Sequence, residues 1–414
     1  MIVFMRATRS LVVVLLWTQA TFAQVNWPEF RGPQGNGHAA TADLPLQIDP
    51  DRHVRWSTVI HGKGWSSPVV WADQIWLTTA TEDGQRQSAL CVDLSSGKIV
   101  RDLVIFENEE PDFCHPLNSY ATPTPAIEQG RVYLHFGSYG TLCLDTASGE
   151  RLWERRDLPC NHFRGPASSP ILYHDKLIVA LDGFDYQYVV ALDKQTGKTI
   201  WRQDRNIKYG TDDGDLKKAY GTGLVIDVQG KPQLVYPSAV ATIAYSPDSG
   251  QELWRAYHGG MNASARPLFG HGLVFITNGT GRLVAVRPDG RGDVTGTHVA
   301  WHLRKSVAKK SSQVLVDGLL YMVSDNGIFS CLEPATGAIV WQKRLGGEYA
   351  ASPIYAGGKL YFFSREGKIP VLQPGRRFQL LAENQLGDGY MASPAVVGNK
   401  LILRSKTHLY CVSK

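Results

Sequence analysis

Short apolar runs separated by polar turns fill most of this chain, and residues 165–205 show the pattern most clearly. Four runs in this stretch are centred on Ile171, Ile178, Val190 and Ile200, and the turns between them carry Asp, Gly, Lys and His. Such runs, rich in Val, Ile and Tyr and closed by Asp/Gly turns, are typical of an antiparallel meander. The stretch therefore predicts one four-stranded sheet, which needs neighbouring copies of itself to bury its faces.

Copies of this unit recur along the chain. In seven of them a Pro, or a residue in its place, precedes the centre of the second strand by eight residues: Pro68/Trp76, Pro125/Tyr133, Pro170/Ile178, Pro267/Phe275, Gln313/Tyr321, Pro353/Tyr361 and Pro394/Ile402. An eighth, degenerate copy lies around 220–223, with a lengthened first hairpin at 227–232. The pattern therefore predicts a repeat protein of eight units.

A Trp recurs in the fourth strand of the repeat. It follows the Gly of the preceding turn by four residues in four copies and by five at Trp301, and Arg101 replaces it in the first copy. A large aromatic at a repeated position favours burial between neighbouring units. The predicted docking residues are Trp56, Trp153, Trp201, Trp254, Trp301 and Trp341.

The last copy, 390–414, stops after its third strand, whereas residues 53–60 form an isolated strand pattern around Trp56. Pairing the two ends would complete a ring and remove exposed sheet edges. The sequence therefore predicts an all-β, eight-bladed β-propeller of four-stranded antiparallel blades over 53–414, with the last blade closed by the N-terminal strand. Residues 24–52 are expected to form an extension that packs on the ring.

Residues 1–23 are predicted to be a cleaved signal peptide. Arg6 and Arg9 precede an apolar stretch from Leu11 to Trp17, and Thr21-Phe22-Ala23 is typical of a cleavage site. A membrane anchor is the alternative, but the apolar stretch is short for a span. We expect an exported protein, periplasmic or extracellular, that has no membrane span and is a monomer.

The net charge of +5 is small and scattered, so it does not indicate nucleic-acid binding. Four cysteines occupy one repeat position in the third strands and are expected to be buried packing residues: Cys91, Cys143, Cys331 and Cys411. Cys114 and Cys160 instead lie in the loops that lead into blades 2 and 3. A Cys114–Cys160 disulfide and two free thiols are both open, and a zinc site with His115 and His162 is less favoured. No metal site is assigned.

The segment ALDKQTGKTIW at 191–201 resembles the tryptophan-docking repeat of the pyrroloquinoline quinone (PQQ)-type β-propellers, and TLCLDTASGERLW and CLEPATGAIVW are weaker copies. The resemblance implies the eight-bladed fold over 53–414. Proteins of this fold include quinoprotein alcohol and glucose dehydrogenases and non-enzymatic scaffolds such as BamB. The opening segment WPEFRGPQGNG is similar to that of exported, mostly uncharacterised bacterial members.

In this fold a ligand is expected over the central axis, lined by residues that precede the first strand of each blade. Those residues are Lys63, Trp65, Asn118, Tyr120, His162, Arg164, Tyr220, Asn262, Arg266, Lys309, Tyr349 and Tyr390. Aromatics and cations suit an anionic planar ligand such as PQQ, but also a peptide or a sugar. A solvated rim with packed aromatics is the alternative.

We therefore expect an exported ligand- or protein-binding scaffold without chemistry of its own, and we assign no catalytic residue and no cofactor. The alternative is a PQQ-dependent dehydrogenase of alcohols or sugars with bound Ca²⁺. It would use Arg164, Arg266, Lys63 or Lys309 for the cofactor carboxylates and Trp65 or a Tyr for stacking. The chain has no adjacent Cys pair and no CxxCH haem motif, and the Asp-rich loop at 212–215 lacks the spacing of a calcium loop.

Overall fold

Eight antiparallel sheets succeed one another along residues 26–414, the part of the chain that the computed structural model describes. The predicted signal peptide, residues 1–23, lies outside the described residues. The sheets are the blades of an all-β propeller, so the predicted fold class is confirmed. Between residues 26 and 414, no helix is long and apolar enough to cross a membrane.

Each blade contains four strands that pair in order from the innermost to the outermost. Blades 1 and 2 comprise Val69–Trp71, Gln74–Ala80, Arg86–Asp93 and Ile99–Glu107, then Ala126–Glu128, Arg131–His135, Thr141–Asp145 and Arg151–Arg155. Blades 3 and 4 comprise Ile171–Tyr173, Lys176–Asp182, Gln187–Asp193 and Thr199–Asp204, then Leu224–Val228, Lys231–Pro237, Ala241–Tyr245 and Glu252–Tyr257.

The second half of the ring repeats the same order. Blades 5 and 6 comprise Leu268–Gly270, Leu273–Thr277, Leu283–Val286 and Val299–Leu303, then Val314–Val316, Leu319–Val323, Ile328–Leu332 and Ile339–Arg344. Blades 7 and 8 comprise Ile354–Ala356, Lys359–Tyr361, Lys368–Leu372 and Leu380–Gln385, then Ala395–Val397, Lys400–Arg404, His408–Val412 and Val54–Val59.

The last blade is closed as predicted. Val54–Val59 pairs antiparallel with His408–Val412, and Trp56 lies opposite Cys411. The short helix Pro50–His53 leads into this strand, and the Asp49 side chain caps it by accepting from the backbone N–H of Asp51 at 2.9 Å. Closure therefore joins the two ends of the described chain within a single sheet.

Four further elements are short. His38–Ala39 adds a parallel strand to the inner edge of blade 7, and Gly292–Asp293 adds one to the outer edge of blade 4. Two 3-10 helices, Gly137–Tyr139 and Gly214–Leu216, lie in loops of blades 2 and 4. The added strands cover backbone groups that a sheet edge otherwise leaves unpaired.

Trp side chains join neighbouring blades. The indole N–H groups of Trp56, Trp153, Trp201, Trp301 and Trp341 each donate to a backbone carbonyl of the next blade, at 2.9–3.1 Å. In the first blade Arg101 takes the same role, because its guanidinium donates to the carbonyl of Ala147 in blade 2. These contacts fix each outer strand against the following turn.

Trp254 departs from this pattern. Its indole donates to Gln233 Oε1 of its own blade at 2.7 Å, and Gln233 Nε2 donates to the carbonyl of Pro288 in blade 5 at 3.0 Å. The turn of blade 5 is irregular in length, so the glutamine bridges a gap that the other Trp side chains span directly. The Trp254 ring still packs with blade 5 residues such as Val274 and Val284.

Candidate functional site

A cavity of about 320 Å³ lies on the propeller axis, because every one of the eight blades contributes to its lining. The contributing residues come mainly from the segments just before the innermost strands, as expected for this fold. Its wall and floor include Trp65, Ser67, Asn118, Thr124, Arg164, Ser169, Tyr220, Thr222, Asn262, Lys309, Ser352 and Ser393.

The floor of the cavity is a ring of hydroxyl groups, and seven of the eight blades each supply one. Seven backbone N–H groups each donate to the hydroxyl of the next blade, at 2.9–3.1 Å, so that the bonds run in one direction around the axis. We call this set the hydroxyl ring; its members are Ser67, Thr124, Ser169, Thr222, Ser312, Ser352 and Ser393. The ring ties all eight innermost strands together.

The hydroxyl ring also presents donors. Six of its members line the cavity, and each uses its oxygen to accept a backbone N–H. Within residues 26–414, none of these six hydroxyls donates to a protein acceptor. Since a hydroxyl carries one donor besides its acceptor sites, the floor offers several O–H groups to a bound acceptor.

In blade 5, Arg266 occupies the position that carries a Ser or Thr hydroxyl in the other seven blades. Its side chain binds the N-terminal segment. It forms an ion pair with Glu29 at 2.8 Å and donates to the carbonyls of Phe30 and Gly223. Burial raises the pKa of the Glu29 carboxyl, against the opposing effect of Arg266. Phe30 thereby reaches the cavity lining from below.

The N-terminal segment crosses the ring beneath the cavity. The backbone of Trp27 pairs with Val70 of blade 1, and Arg31 donates to the carbonyl of Gln313 in blade 6 at 2.7 Å. Gly37 then accepts from the N–H of Tyr355 in blade 7. Because the contacts with blade 1 and with blades 6 and 7 lie on different sides of the ring, this segment crosses the axial passage. The cavity is therefore closed at its floor.

Three buried polar atoms of the wall have no hydrogen-bond partner within residues 26–414: Trp65 Nε1, the Tyr220 hydroxyl and Asn262 Oδ1. Buried polar groups are almost always paired, and leaving one unpaired costs about 1–3 kcal/mol. Two of these atoms can donate, and Asn262 Oδ1 accepts. All three residues line the same cavity, although the unpaired atoms themselves are buried.

The charges around the cavity are positive. Arg164, Lys309 and Lys310 line it, and no Asp or Glu does so among the described residues. Arg164 contacts Asp215 at 3.0 Å, and Lys310 pairs with Asp325, which leaves Lys309 as the cation with no carboxylate partner between residues 26 and 414. An anionic group in the cavity would therefore meet hydroxyl donors and Lys309, with Arg164 and Lys310 already paired to carboxylates that do not line the cavity.

Six of the twelve residues predicted to line the mouth do so: Trp65, Asn118, Arg164, Tyr220, Asn262 and Lys309. Lys63 lies just outside, 5.7 Å from the centroid of the Trp65 ring, and donates to the carbonyl of Pro116. Arg266 lies beneath the floor. The remaining four do not line the cavity and are buried: Tyr120, His162, Tyr349 and Tyr390.

The buried four make internal contacts. Tyr120 donates to the carbonyl of Asp112, Tyr390 donates to that of Leu386, and Tyr349 packs edge-on against Phe329. His162 accepts from the N–H of Ser138, and burial lowers its pKa to about 4. An aromatic side chain in a loop can face the cavity or the protein interior, and these four pack into the interior beneath the loops.

Sequence reasoning missed the hydroxyl ring and Phe30. The ring had a signal, since Ser or Thr precedes Pro at five of the repeat starts: Ser67-Pro68, Thr124-Pro125, Ser169-Pro170, Ser352-Pro353 and Ser393-Pro394. Phe30 had none, because it joins the cavity only through the path of the N-terminal segment.

Cys114 and Cys160 are free thiols, so the disulfide weighed from the sequence is absent from residues 26–414. The Cys160 sulfur lies 3.7 Å from His162 Nδ1, whereas that of Cys114 faces the carbonyl of Arg164 at 3.8 Å. Burial raises the pKa of both thiols. Nor does any group of three or more His, Cys, Asp or Glu side chains in the described part of the chain form a metal site. The four strand cysteines are buried and free.

A family model described as outer membrane protein assembly factor BamB matches residues 112–214 and 293–374. Tetrathionate hydrolase of Acidithiobacillus ferrooxidans is 24% identical over 266 residues, 58% of this chain and 50% of that protein. BamB of Legionella pneumophila is 26% identical over 215 residues, 50% of each chain. This chain thus spans about half the length of the curated relatives that it matches.

Solved structures share the fold at low identity. A europium-containing methanol dehydrogenase superposes with a TM-score of 0.73 at 11% identity, covering 94% of this chain and 98% of that one. BamB from Moraxella catarrhalis gives 0.62 at 14% identity, covering 87% and 99%. The eight closed blades, the docking Trp repeats and these matches together show that this chain has the fold of the PQQ-like β-propellers.

Proposed function

We propose that this chain is an exported binding propeller without chemistry of its own, and that its axial cavity binds an anionic group of a ligand or partner. One observation carries the proposal: a floor of free hydroxyl donors meets a wall with Arg164, Lys309 and Lys310 and no carboxylate. Hydrogen bonds between donors and an ionised acceptor are about twice as strong as neutral ones. The volume lies at the lower end of the range for small-ligand sites.

Two further features support binding. The hydroxyl ring and the blind floor make the cavity rigid before a ligand arrives, which lowers the ordering cost of association. The unpaired Trp65 Nε1, Tyr220 hydroxyl and Asn262 Oδ1 belong to lining residues, and a small side-chain rotation on binding would let a ligand pair with these buried atoms. Export is part of the proposal and rests on the leader pattern of residues 1–23. A protein partner is supported by the names of the BamB relatives, which are assembly factors.

The dehydrogenase alternative draws on neighbours such as the quinohemoprotein alcohol dehydrogenase of Comamonas testosteroni, which superposes with a TM-score of 0.67 at 12% identity. Arg164 and Lys309 could contact the carboxylates of PQQ, and Trp65 offers an aromatic face. Calcium, however, takes oxygen ligands that include carboxylates, and no described Asp or Glu lines the cavity. The donor set does not fit a PQQ–calcium site, and we derive no reaction through one.

Titration calorimetry and thermal shift test the proposal, with malonate as the probe and neutral malonamide as its matched control. Malonate at about 100 times its Kd should stabilise the fold by about 3 kcal/mol, and malonamide should not. Lys309→Gln should weaken malonate binding, whereas Lys198→Gln, on the outer turn of blade 3, should leave it unchanged. PQQ- and Ca²⁺-dependent oxidation of an alcohol or sugar, with reduction of an artificial electron acceptor, would overturn the proposal in favour of a dehydrogenase.

A further inference from the structure

Three exposed Phe side chains form a continuous strip beside the cavity. Phe113, Phe163 and Phe184 are 58%, 37% and 40% exposed. The centroid of the Phe163 ring lies 5.8 Å from that of Phe113 and 5.7 Å from that of Phe184. We call them the aromatic ridge. Single exposed apolar residues are ordinary, but a contiguous aromatic patch marks a site of interaction.

The backbone under the ridge is held in place. Phe163 has a φ of 57°, in the left-handed region that bulky residues rarely adopt. Asn161 Oδ1 accepts from the N–H of Phe163 at 2.8 Å, and the Asn161 carbonyl accepts from that of Phe184 at 2.7 Å. The Asn161 contacts therefore hold Phe163 and Phe184 side by side.

The ridge is continuous with the cavity. Arg164 follows Phe163 and lines the cavity, and Leu117 of the loop that carries Phe113 is 43% exposed and lines it as well. Lys218 is buried under the ridge, 4.9 Å from the Phe163 centroid, and it pairs with Asp215 as Arg164 does. An occupant of both parts needs apolar side chains next to an anionic group.

We infer that the site binds the C-terminus of an extended peptide, with the terminal carboxylate in the axial cavity and the preceding apolar side chains on the aromatic ridge. The inference rests on the proposed function and specifies its ligand. A cavity closed at its floor admits a chain end but not a passing segment. The carboxylate meets the free hydroxyls of the floor, with Arg164 and Lys309 at the wall.

The unpaired atoms favour a peptide over a simple anion. These three atoms are buried, and in the proposed complex small side-chain rotations would turn Trp65 Nε1 and the Tyr220 hydroxyl to the terminal carboxylate and Asn262 Oδ1 to the last peptide N–H. A simple anion has no donor for that oxygen. A sugar supplies donors but no charge for the cationic wall, and it has no apolar side chains for the ridge.

The test compares two mixtures of short fluorescein-labelled peptides that carry Phe, Leu or Val at their C-terminal positions. One mixture has a free carboxylate and the other a C-terminal amide. By fluorescence anisotropy, the free acids should bind at least about tenfold more tightly than the amides, as expected for loss of a charge-assisted contact. Phe113→Ser/Phe184→Ser should weaken binding of the free acids, and Lys309→Gln should reduce their advantage over the amides.

Val100→Ser is the matched control for the ridge, since Val100 is 56% exposed on the outer strand of blade 1. It should bind the free acids as the wild type does. Equal binding of both mixtures, or binding that survives loss of the ridge, would overturn the peptide inference. If malonate binds and neither mixture does, the inference fails while the proposed function stands. If malonate also fails to bind, both fail.

Discussion

At the scale of single residues, Arg266 is the position that distinguishes this hydroxyl ring from a uniform one. Its guanidinium is almost fully buried and pairs with Glu29, which lies 237 positions earlier in the chain. A buried ion pair adds little net stability, but removing one partner leaves an uncompensated charge. Arg266 therefore fixes the N-terminal segment beneath the cavity.

Arg266→Ser should restore the missing hydroxyl but leave the Glu29 carboxylate buried without its partner. We expect a loss of about 3–5 kcal/mol in the free energy of unfolding, measured by urea denaturation at pH 7. Adding Glu29→Gln should recover part of that loss, because the buried charge is then gone. A double variant no more stable than the single one would show that the ion pair is not the cause.

At the scale of elements, the fit between a docking Trp and the turn of the next blade depends on glycine. Gly250 has a φ of +73°, and a Cβ there would lie 2.7 Å from the Trp201 ring. Gly230 has a φ of +77°, with nothing within 4 Å of its Cβ position. Both glycines therefore need a left-handed backbone conformation, but only Gly250 is also packed against a Trp ring.

Gly230→Ala should cost about 1–2 kcal/mol of unfolding free energy, the penalty for a Cβ in the left-handed region. Gly250→Ala should cost about 1–3 kcal/mol more, because it also overpacks the interface of blades 3 and 4. Denaturant unfolding of both variants measures the difference. Equal losses would mean that the Trp201 contact does not constrain the turn.

At the scale of the whole molecule, the ring is closed by a sheet made from both ends. A protein that begins at residue 61 lacks Val54–Val59 and exposes the edge of His408–Val412. We expect a broadened thermal transition and self-association, because an unpaired edge is a template for another chain. Calorimetry and gel filtration measure both effects.

A protein that begins at residue 38 is the control, since it keeps the closing strand and removes only the segment beneath the cavity. It should remain monomeric and unfold in one cooperative transition, at a lower temperature than the protein that begins at residue 26. If the protein that begins at residue 61 unfolds as cooperatively as this control, closure does not hold the ring together.

The sequence predicted the fold in detail but the site only in part. Blade number, blade order and closure followed from the repeat, and half of the expected mouth residues line the cavity. Loop aromatics such as Tyr120 and Tyr349 were misplaced, because a single aromatic in an irregular segment has no period that shows which way it faces. The Cys114–Cys160 pairing could not be decided from the sequence, because bond formation depends on distances across two loops.

The amino-acid sequence by itself determined the propeller, because strand length, turn chemistry and the docking Trp are local patterns repeated at a fixed spacing. Only the tertiary structure decided the site. The hydroxyl ring brings together one residue from each of seven blades, and Phe30 reaches it because Arg266 holds the N-terminal segment across the ring. Contacts between residues this far apart depend on the closed geometry of all eight blades, which no local pattern encodes.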